Sequence, residues 1–190
     1  MGYAIAEAAL AHGDEVTLIS GPASIAPPRG AKFISITTSD ELYDAVHRTV
    51  RTCDVLVMCA AVSDYKPAAS APQKMMKRNA PFALRLIATR DILASLPREQ
   101  RRYLVVGFAA ETHDLETNAR LKLMKKNCDL IVANDVSGKD SGMESDENEV
   151  EIFFRNGEMK KISRAPKKNI ARELVKIISK MLEKSLTKKS

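Results

Sequence analysis

The chain of 190 residues contains no tryptophan, and aromatic residues make up only 5% of it. Proteins that bind nucleic acid usually carry aromatic stacking platforms or a concentrated basic helix. Lys and Arg number 30 against 24 Asp and Glu, a net charge of +6, but these basic residues are dispersed except at the carboxyl terminus. The sequence therefore argues against nucleic acid as a partner and favours a small polyanion such as a nucleotide or phosphate ester.

Cysteine is also scarce. Cys53, Cys59 and Cys128 are odd in number and include no CxxC pair, which argues against a disulfide scaffold or a structural zinc site. We interpret them as reduced, buried thiols of a cytoplasmic protein. No His, Cys and Asp residues follow metal-ligand spacing either, so we expect no permanent metal site.

Long apolar runs are missing as well. The stretch Val55–Val62 is far shorter than the ~20 residues that span a membrane. No basic region followed by a long apolar region opens the chain, as a secretory signal would. With 45% hydrophobic and 28% charged residues, we expect one soluble domain over residues 1–190, without a membrane partner.

Short β runs alternate with amphipathic helices along the chain, which predicts an α/β fold, a Rossmann-like three-layer sandwich with a mostly parallel sheet. Helices are predicted at 1–11, after a capping box at Thr38–Glu41, around 115–123 and after Pro166. Strands are predicted at 15–20, 32–37, 54–60, 82–87, 103–108 and 130–133. Because residues 54–60 are nearly all apolar, we expect a central strand buried on both faces.

A β-hairpin is predicted to follow these elements. Glu149–Phe154 and Met159–Ser163 flank the dipeptide Asn156-Gly157, which is typical of a type I′ turn. The hairpin interrupts the alternation and presents a sheet edge, so it is a candidate contact of a homodimer.

Ligands of such folds bind at the carboxyl ends of the parallel strands. After strand 54–60, the small residues Ala60 and Ala61 allow close approach, and Asp64 offers a carboxylate. The long loop that follows carries three cations, Lys74, Lys77 and Arg78. A loop of this length is either functional or a solvated segment without a role.

Two further segments reach the same end of the sheet. Phe108 either stacks on a base or caps the core. Lys122 and Lys126 share one helix face, where they either coat a solvated surface or bind a triphosphate. Asp64 and Asp91 are available for Mg²⁺ that arrives with a nucleotide.

Several common catalytic patterns are absent. His12, His47 and His113 have no matching Ser or Cys context for a nucleophilic triad, and no Walker A sequence occurs. The absence of GxGxxG weakens, without excluding, the alternative of a nicotinamide-dependent oxidoreductase.

Five segments together resemble phosphopantothenoylcysteine synthetase, the ligase of coenzyme A biosynthesis. The resemblance covers nearly the whole chain, in order and at the right spacing. The segments are CAAVSDYKP at 59–67, APQKMMK at 71–77, VGFAAET at 106–112, KLMKKNCDLIVANDV at 122–136 and SDENEV at 145–150.

The resemblance implies a reaction in two steps. The carboxylate of 4′-phosphopantothenate attacks the α-phosphate of a nucleoside triphosphate, giving an acyl nucleotide and pyrophosphate, and the amine of cysteine then displaces the nucleoside monophosphate. Bacterial members use CTP and eukaryotic relatives ATP; the bacterial style of the sequence favours CTP, with Mg²⁺ bound to the nucleotide.

The resemblance also implies roles for individual residues. Lys74 matches the lysine associated with forming the acyl nucleotide, and Ala60 and Ala61 match small residues beside the intermediate. The nucleotide contacts are matched by Asp64, Lys74, Arg90, Asp91, Ile92, Phe108, Lys122 and Lys126. It further suggests a homodimer and association with a phosphopantothenoylcysteine decarboxylase domain or protein.

Two positions depart from the family pattern. Arg90 stands where the family usually has proline, and Met1-Gly2 resemble the last residues of an Asn-x-Ser-Ser-Gly-Lys-Met-Gly run. We therefore expect a fragment without the usual amino-terminal strand and without the asparagine linked to the second half-reaction. The alternative function is a non-catalytic module that binds nucleotide without turnover.

Overall fold

The computed structural model describes residues 1–69, 71, 73–77, 79, 81–99, 101–111, 113–135 and 146–187. Arg78, one of the three loop cations named above, lies outside the described residues.

The described residues form four α-helices and nine β-strands, close to the predicted alternation. The helices are α1 (Gly2–His12), α2 (Ser39–Thr49), α3 (Leu115–Lys125) and α4 (Lys167–Thr187), with a short 3₁₀ turn at Val50–Thr52. The strands are β1 (Thr17–Ser20), β2 (Lys32–Ser35), β3 (Val55–Met58), β4 (Tyr65–Pro67), β5 (Leu86–Ala88), β6 (Leu104–Glu111), β7 (Leu130–Asp135), β8 (Glu147–Phe154) and β9 (Met159–Pro166).

The main sheet has the strand order β3-β6-β7-β8-β9. β3, β6 and β7 are parallel, whereas β8 and β9 continue the sheet as an antiparallel hairpin. A separate parallel pair joins β1 to β2, and a separate antiparallel pair joins β4 to β5. The α/β class with an appended hairpin is therefore confirmed.

Two strand predictions were wrong in part. The apolar run 54–60 forms β3, which lies at an edge of the main sheet and pairs only with β6 among the described strands. An apolar run leaves the number of strand partners open, and at this edge only Met58 of β3 is buried while Val55, Leu56 and Val57 are half-buried. The predicted strand 82–87 is reduced to the three exposed residues of β5, paired with β4, which the sequence did not predict.

The core has one cluster on each face of the main sheet and a third under α2. α1 and α4 cover one face, with Ile5 and Ile170 packed on β6, β7 and β8. α3 covers the other face through Ala119 and Leu123. In the third cluster, Leu42 of α2 packs with Met58 at the end of β3 and with Ile92 and Leu96 of the segment that follows β5. These layers hold the carboxyl ends of β6 and β7 at one rim of the sheet.

α2 begins with the predicted capping box. The Thr38 Oγ1 atom accepts a hydrogen bond from the Glu41 N–H at 3.2 Å, and the Glu41 carboxylate accepts one from the Thr38 N–H at 2.9 Å. In the described part of the chain, no helix combines the length and the apolar character needed to cross a membrane.

Candidate functional site

The rim of the main sheet carries a lysine bound to a buried carboxylate. β6 ends at Glu111, which is 9% exposed, and its Oε1 atom lies 2.6 Å from the Nζ atom of Lys122 on α3. An ammonium group has three N–H donors, so this bond leaves two for a ligand. The Lys122 side chain is 43% exposed, so the ammonium group remains open to a ligand.

The second predicted lysine is paired in the same way. Lys126 caps the carboxyl end of α3, and its Nζ atom lies 2.5 Å from Oδ2 of Asp91. The other carboxylate oxygen of Asp91 accepts a hydrogen bond from the Ala94 N–H at 3.1 Å. The structure therefore brings two of the predicted site residues, Asp91 and Lys126, into contact, with Lys122 one turn earlier on α3.

Sequence reasoning missed Glu111 as a member of this group. It belongs to the quoted segment VGFAAET, but nothing in the sequence shows that the last residue of a strand meets a helix residue eleven positions later. A signal was available in the pattern: a charged residue directly after an apolar strand needs a partner of opposite charge.

Arg90 points towards α2. Its guanidinium group lies 3.8 Å above the Tyr43 ring and donates to Oδ1 of Asp40 at 3.1 Å. Asp44 lies at 3.6 Å from the same group. Lys66 of β4 donates to the other oxygen of Asp40. These donors, Lys66 foremost, lower the pKa of the Asp40 carboxyl below its ordinary value.

The neighbours of Arg90 differ in exposure. Ile92 is buried in the cluster under α2, so its backbone is the part left for a ligand. The Asp64 side chain is exposed, and its carbonyl accepts the Thr89 N–H at 2.8 Å. That bond joins the residue before β4 to the residue after β5, which places Asp64 beside the Arg90–Asp91 segment.

The remaining predicted site residues are Ala60, Ala61, Phe108 and Lys74. Ala60 and Ala61 follow β3 and are exposed. Phe108 is half-buried and packs against the cluster under α1 and α4, which favours the core interpretation of its ring. Lys74 is exposed between β4 and β5, and no carboxylate of the described residues forms an ion pair with its ammonium group.

The thiols are free. Burial raises the pKa of Cys59 and of Cys128 to about 12. Within the described ranges, no three His, Cys, Asp or Glu side chains are grouped as a metal site.

Comparisons with known proteins identify the family to which the chain is similar. The profile of the DNA/pantothenate metabolism flavoprotein C-terminal domain matches residues 1–182. The chain is 43% identical over 162 residues to the coenzyme A biosynthesis bifunctional protein CoaBC of Vibrio parahaemolyticus, covering 84% of this chain and 41% of the relative. It is 41% identical over 180 residues to CoaBC of Bacillus subtilis, covering 94% and 44%. The chain thus spans less than half the length of these relatives.

Solved structures have the same fold. The crystal structure of the C-terminal domain of CoaBC matches with a TM-score of 0.80 at 35% identity, covering 96% of this chain and 82% of that one. The DNA/pantothenate metabolism flavoprotein from Streptococcus pneumoniae matches with a TM-score of 0.78 at 24% identity, covering 94% and 86%. The second likeness bears on the fold alone.

Proposed function

The chain belongs to the family of the DNA/pantothenate metabolism flavoprotein C-terminal domain, and from this premise we propose that it is a phosphopantothenate–cysteine ligase of coenzyme A biosynthesis. The observation that carries the proposal is the row of Lys122 and Lys126 on α3, in which Lys122 pairs with Glu111 at the end of β6 and Lys126 pairs with Asp91. This row supports a triphosphate site, because it supplies two ammonium groups, one helical turn apart, that can donate hydrogen bonds to phosphate oxygens.

The proposed reaction brings an anion towards an anion. A carboxylate oxygen of 4′-phosphopantothenate forms a bond to the α-phosphorus of the nucleotide, and the bond to the pyrophosphate oxygen breaks. The cysteine amine then bonds to the acyl carbon, the nucleoside monophosphate leaves, and the amine loses a proton. Fixed cations stabilise the charge that develops on pyrophosphate, the role we assign to Lys74, Lys122 and Lys126.

We propose CTP as the favoured nucleotide, with ATP as the alternative, and Mg²⁺ bound to its phosphates. Asp64 and Asp91 are the carboxylates that would hold this ion; Asp64 is exposed, whereas Asp91 would share its charge with Lys126. Arg90, Ile92 and Phe108 are proposed as further nucleotide contacts, Ile92 through its backbone. Ala60 and Ala61 are proposed to lie beside the acyl nucleotide.

We also propose a cytoplasmic homodimer that works with a phosphopantothenoylcysteine decarboxylase domain or protein. The hairpin edge predicted from the sequence is one candidate dimer contact. A second is the β4–β5 pair with the residues that adjoin it in the chain, including Phe82, and we name this segment the arm. Tyr65, Phe82 and Leu86 are 64%, 67% and 50% exposed there, which supports contact through the arm. Light scattering on wild type and on Phe82→Ser tests it: a dimer that the substitution leaves intact argues against the arm, and a monomeric wild type argues against the dimer.

The test of the ligase proposal is pyrophosphate release from CTP or ATP in the presence of 4′-phosphopantothenate. Lys74→Ala is expected to abolish release with the circular dichroism spectrum unchanged, and Lys77→Ala, an exposed lysine of the same segment, is the matched control. Wild-type release in Lys74→Ala would remove Lys74 from the mechanism. Nucleotide binding without release would favour the non-catalytic module, and binding of a nicotinamide nucleotide alone would favour the oxidoreductase.

A further inference from the structure

One carboxylate of α2 joins both strands of the arm. The Oδ2 atom of Asp40 accepts a hydrogen bond from Lys66 in β4, and its Oδ1 atom accepts one from Arg90, two residues after β5, at 3.1 Å. Because β4 and β5 are paired to each other, these two bonds fix the arm against the first turn of α2.

Stacked side chains continue the contact between α2 and the segment after β5. Arg90 lies on one side of Tyr43, and His47 stacks on Tyr43 with ring centroids 4.0 Å apart. The Nε2 atom of His47 in turn lies 3.2 Å from the Oγ atom of Ser95. α2 therefore contacts the segment 90–95 at both of its ends. We name the set Asp40, Tyr43, Lys66 and Arg90 the α2 clamp.

The α2 clamp adjoins two carboxylates proposed to serve the nucleotide. Asp64 lies two residues before Lys66, and Asp91 directly follows Arg90 and bonds to Lys126. The hydrogen bond from the Thr89 N–H to the Asp64 carbonyl connects the two sides. A displacement of Arg90 would therefore move Asp91, and with it the Lys126 ammonium group.

We propose that Asp40 and Tyr43 are positioning residues that hold Asp64, Asp91 and Lys126 in the arrangement that binds the nucleoside triphosphate. The proposal rests on the proposed function for the identity of the ligand. Asp40 and Tyr43 act through Lys66 and Arg90 and touch no reacting atom.

The ion pair of the α2 clamp is exposed, so we expect it to affect local order more than global stability. The side chains of Asp40 and Arg90 are 44% and 48% exposed, and exposed ion pairs contribute little to the free energy of unfolding. The α2 clamp therefore acts mainly on the order of segments 64–66 and 89–95. Removal of the Asp40 carboxylate should leave the midpoint of thermal unfolding nearly unchanged while those segments open more often.

The experiment compares Asp40→Asn and Tyr43→Leu with Glu173→Gln as the matched control. Glu173 is an exposed acidic residue of α4 that pairs with Lys176, far along the chain from the α2 clamp. Hydrogen exchange by mass spectrometry is followed over residues 86–96, and the affinity for CTP and for ATP is measured by calorimetry. Asp40→Glu, which keeps the carboxylate, is included as the conservative variant.

We expect Asp40→Asn to speed exchange over 86–96 and to weaken nucleotide binding about tenfold, with kcat within about twofold of wild type and KM for the nucleotide raised. Asp40→Glu should restore part of both effects, and Glu173→Gln should show neither. Unchanged exchange in both Asp40→Asn and Tyr43→Leu would overturn the clamp itself. Faster exchange with unchanged affinity would overturn its role in positioning. A wild type that binds neither nucleotide would instead refute the proposed function, while the exchange result would still decide whether the clamp exists.

Discussion

Gly107 of β6 is paired in register with Ile131 of β7, and a Cβ atom added at Gly107 would lie 2.6 Å from the Cδ1 atom of Ile131. The Cys128 Sγ atom would lie at 3.0 Å from the same position. Since both neighbours are buried, neither has open space to move into. Gly107 thus leaves room for the side chains of Ile131 and Cys128 to pack against β6.

We expect Gly107→Ala to lower the free energy of unfolding by about 1–3 kcal/mol, because overpacking forces buried side chains and backbone to shift. Urea denaturation measures the change. Gly21→Ala is the control, since its nearest contact would be an ordinary 3.8 Å to Ile36. Equal stability of the two variants would contradict this account of Gly107.

The pair of Lys122 and Glu111 yields a prediction about charge. Lys122→Met would leave the buried Glu111 carboxylate without its cation, at a cost of about 1–3 kcal/mol in the free energy of unfolding. Adding Glu111→Gln removes the unpaired charge and should recover part of that loss. A double-mutant cycle from urea denaturation measures the coupling; strictly additive effects would show that the pair contributes nothing.

The capping box gives a third prediction. Thr38→Ala removes the acceptor for the Glu41 N–H and should cost about 1 kcal/mol in the free energy of unfolding. Thr37→Ala serves as the control, because Thr37 contributes its backbone N–H, which the substitution keeps. We expect Thr38→Ala to lower the free energy of unfolding and Thr37→Ala to leave it unchanged, as measured by thermal and urea denaturation.

The buried thiols predict a dependence on alkaline pH. The Cys128 pKa is raised to about 12 from an ordinary 9.0, so the unfolded thiol ionises at lower pH than the folded one. Stability from this group is complete below about pH 9 and falls by about 1.4 kcal/mol per pH unit as pH rises towards 12. Cys128→Ala should show a shallower decline between pH 9 and 10 in urea denaturation. An identical slope would show that Cys128 ionises equally in both states.

The rate of alkylation is a second test of the raised pKa values of these thiols. At pH 8 a thiol of pKa about 12 is ionised in about one molecule in 10⁴, and the thiolate is the form that reacts. Cys59 and Cys128 should therefore react with iodoacetamide far more slowly in the native protein than in urea, as followed by mass spectrometry.

Most helices and strands were predictable from the sequence because their signals depend on residues that are close together in the chain. The Thr38–Glu41 capping box, the helix ending at Gly13 and the β8–β9 hairpin were each confirmed within a few residues. The type I′ turn predicted for Asn156-Gly157 was wrong, because of these two residues only Gly157 has a positive φ, of 93°. The edge position of β3 and the pairing of β4 with β5 were missed, because strand order depends on contacts between distant segments.

The candidate site was predictable in its cations but not in their partners. Lys122 and Lys126 share a helix face by spacing alone, and the structure pairs them with Glu111 and Asp91, respectively. The sequence analysis missed Glu111, Asp40 and Tyr43. Each of them contacts a residue that is distant in the sequence, and such contacts leave no periodic pattern. Arg90 is a further case: nothing in the sequence indicated that its side chain packs on Tyr43, and its predicted contact with the nucleotide stays a prediction.

Among the described strands, β1 and β3 each have a hydrogen-bonded neighbour on one side only. A strand edge of this kind leaves backbone N–H and C=O groups that another polypeptide can pair with. Concentrated solutions of this chain are therefore expected to aggregate through β-sheet extension, and a charged residue introduced on the outer edge of β1 would improve its shelf life.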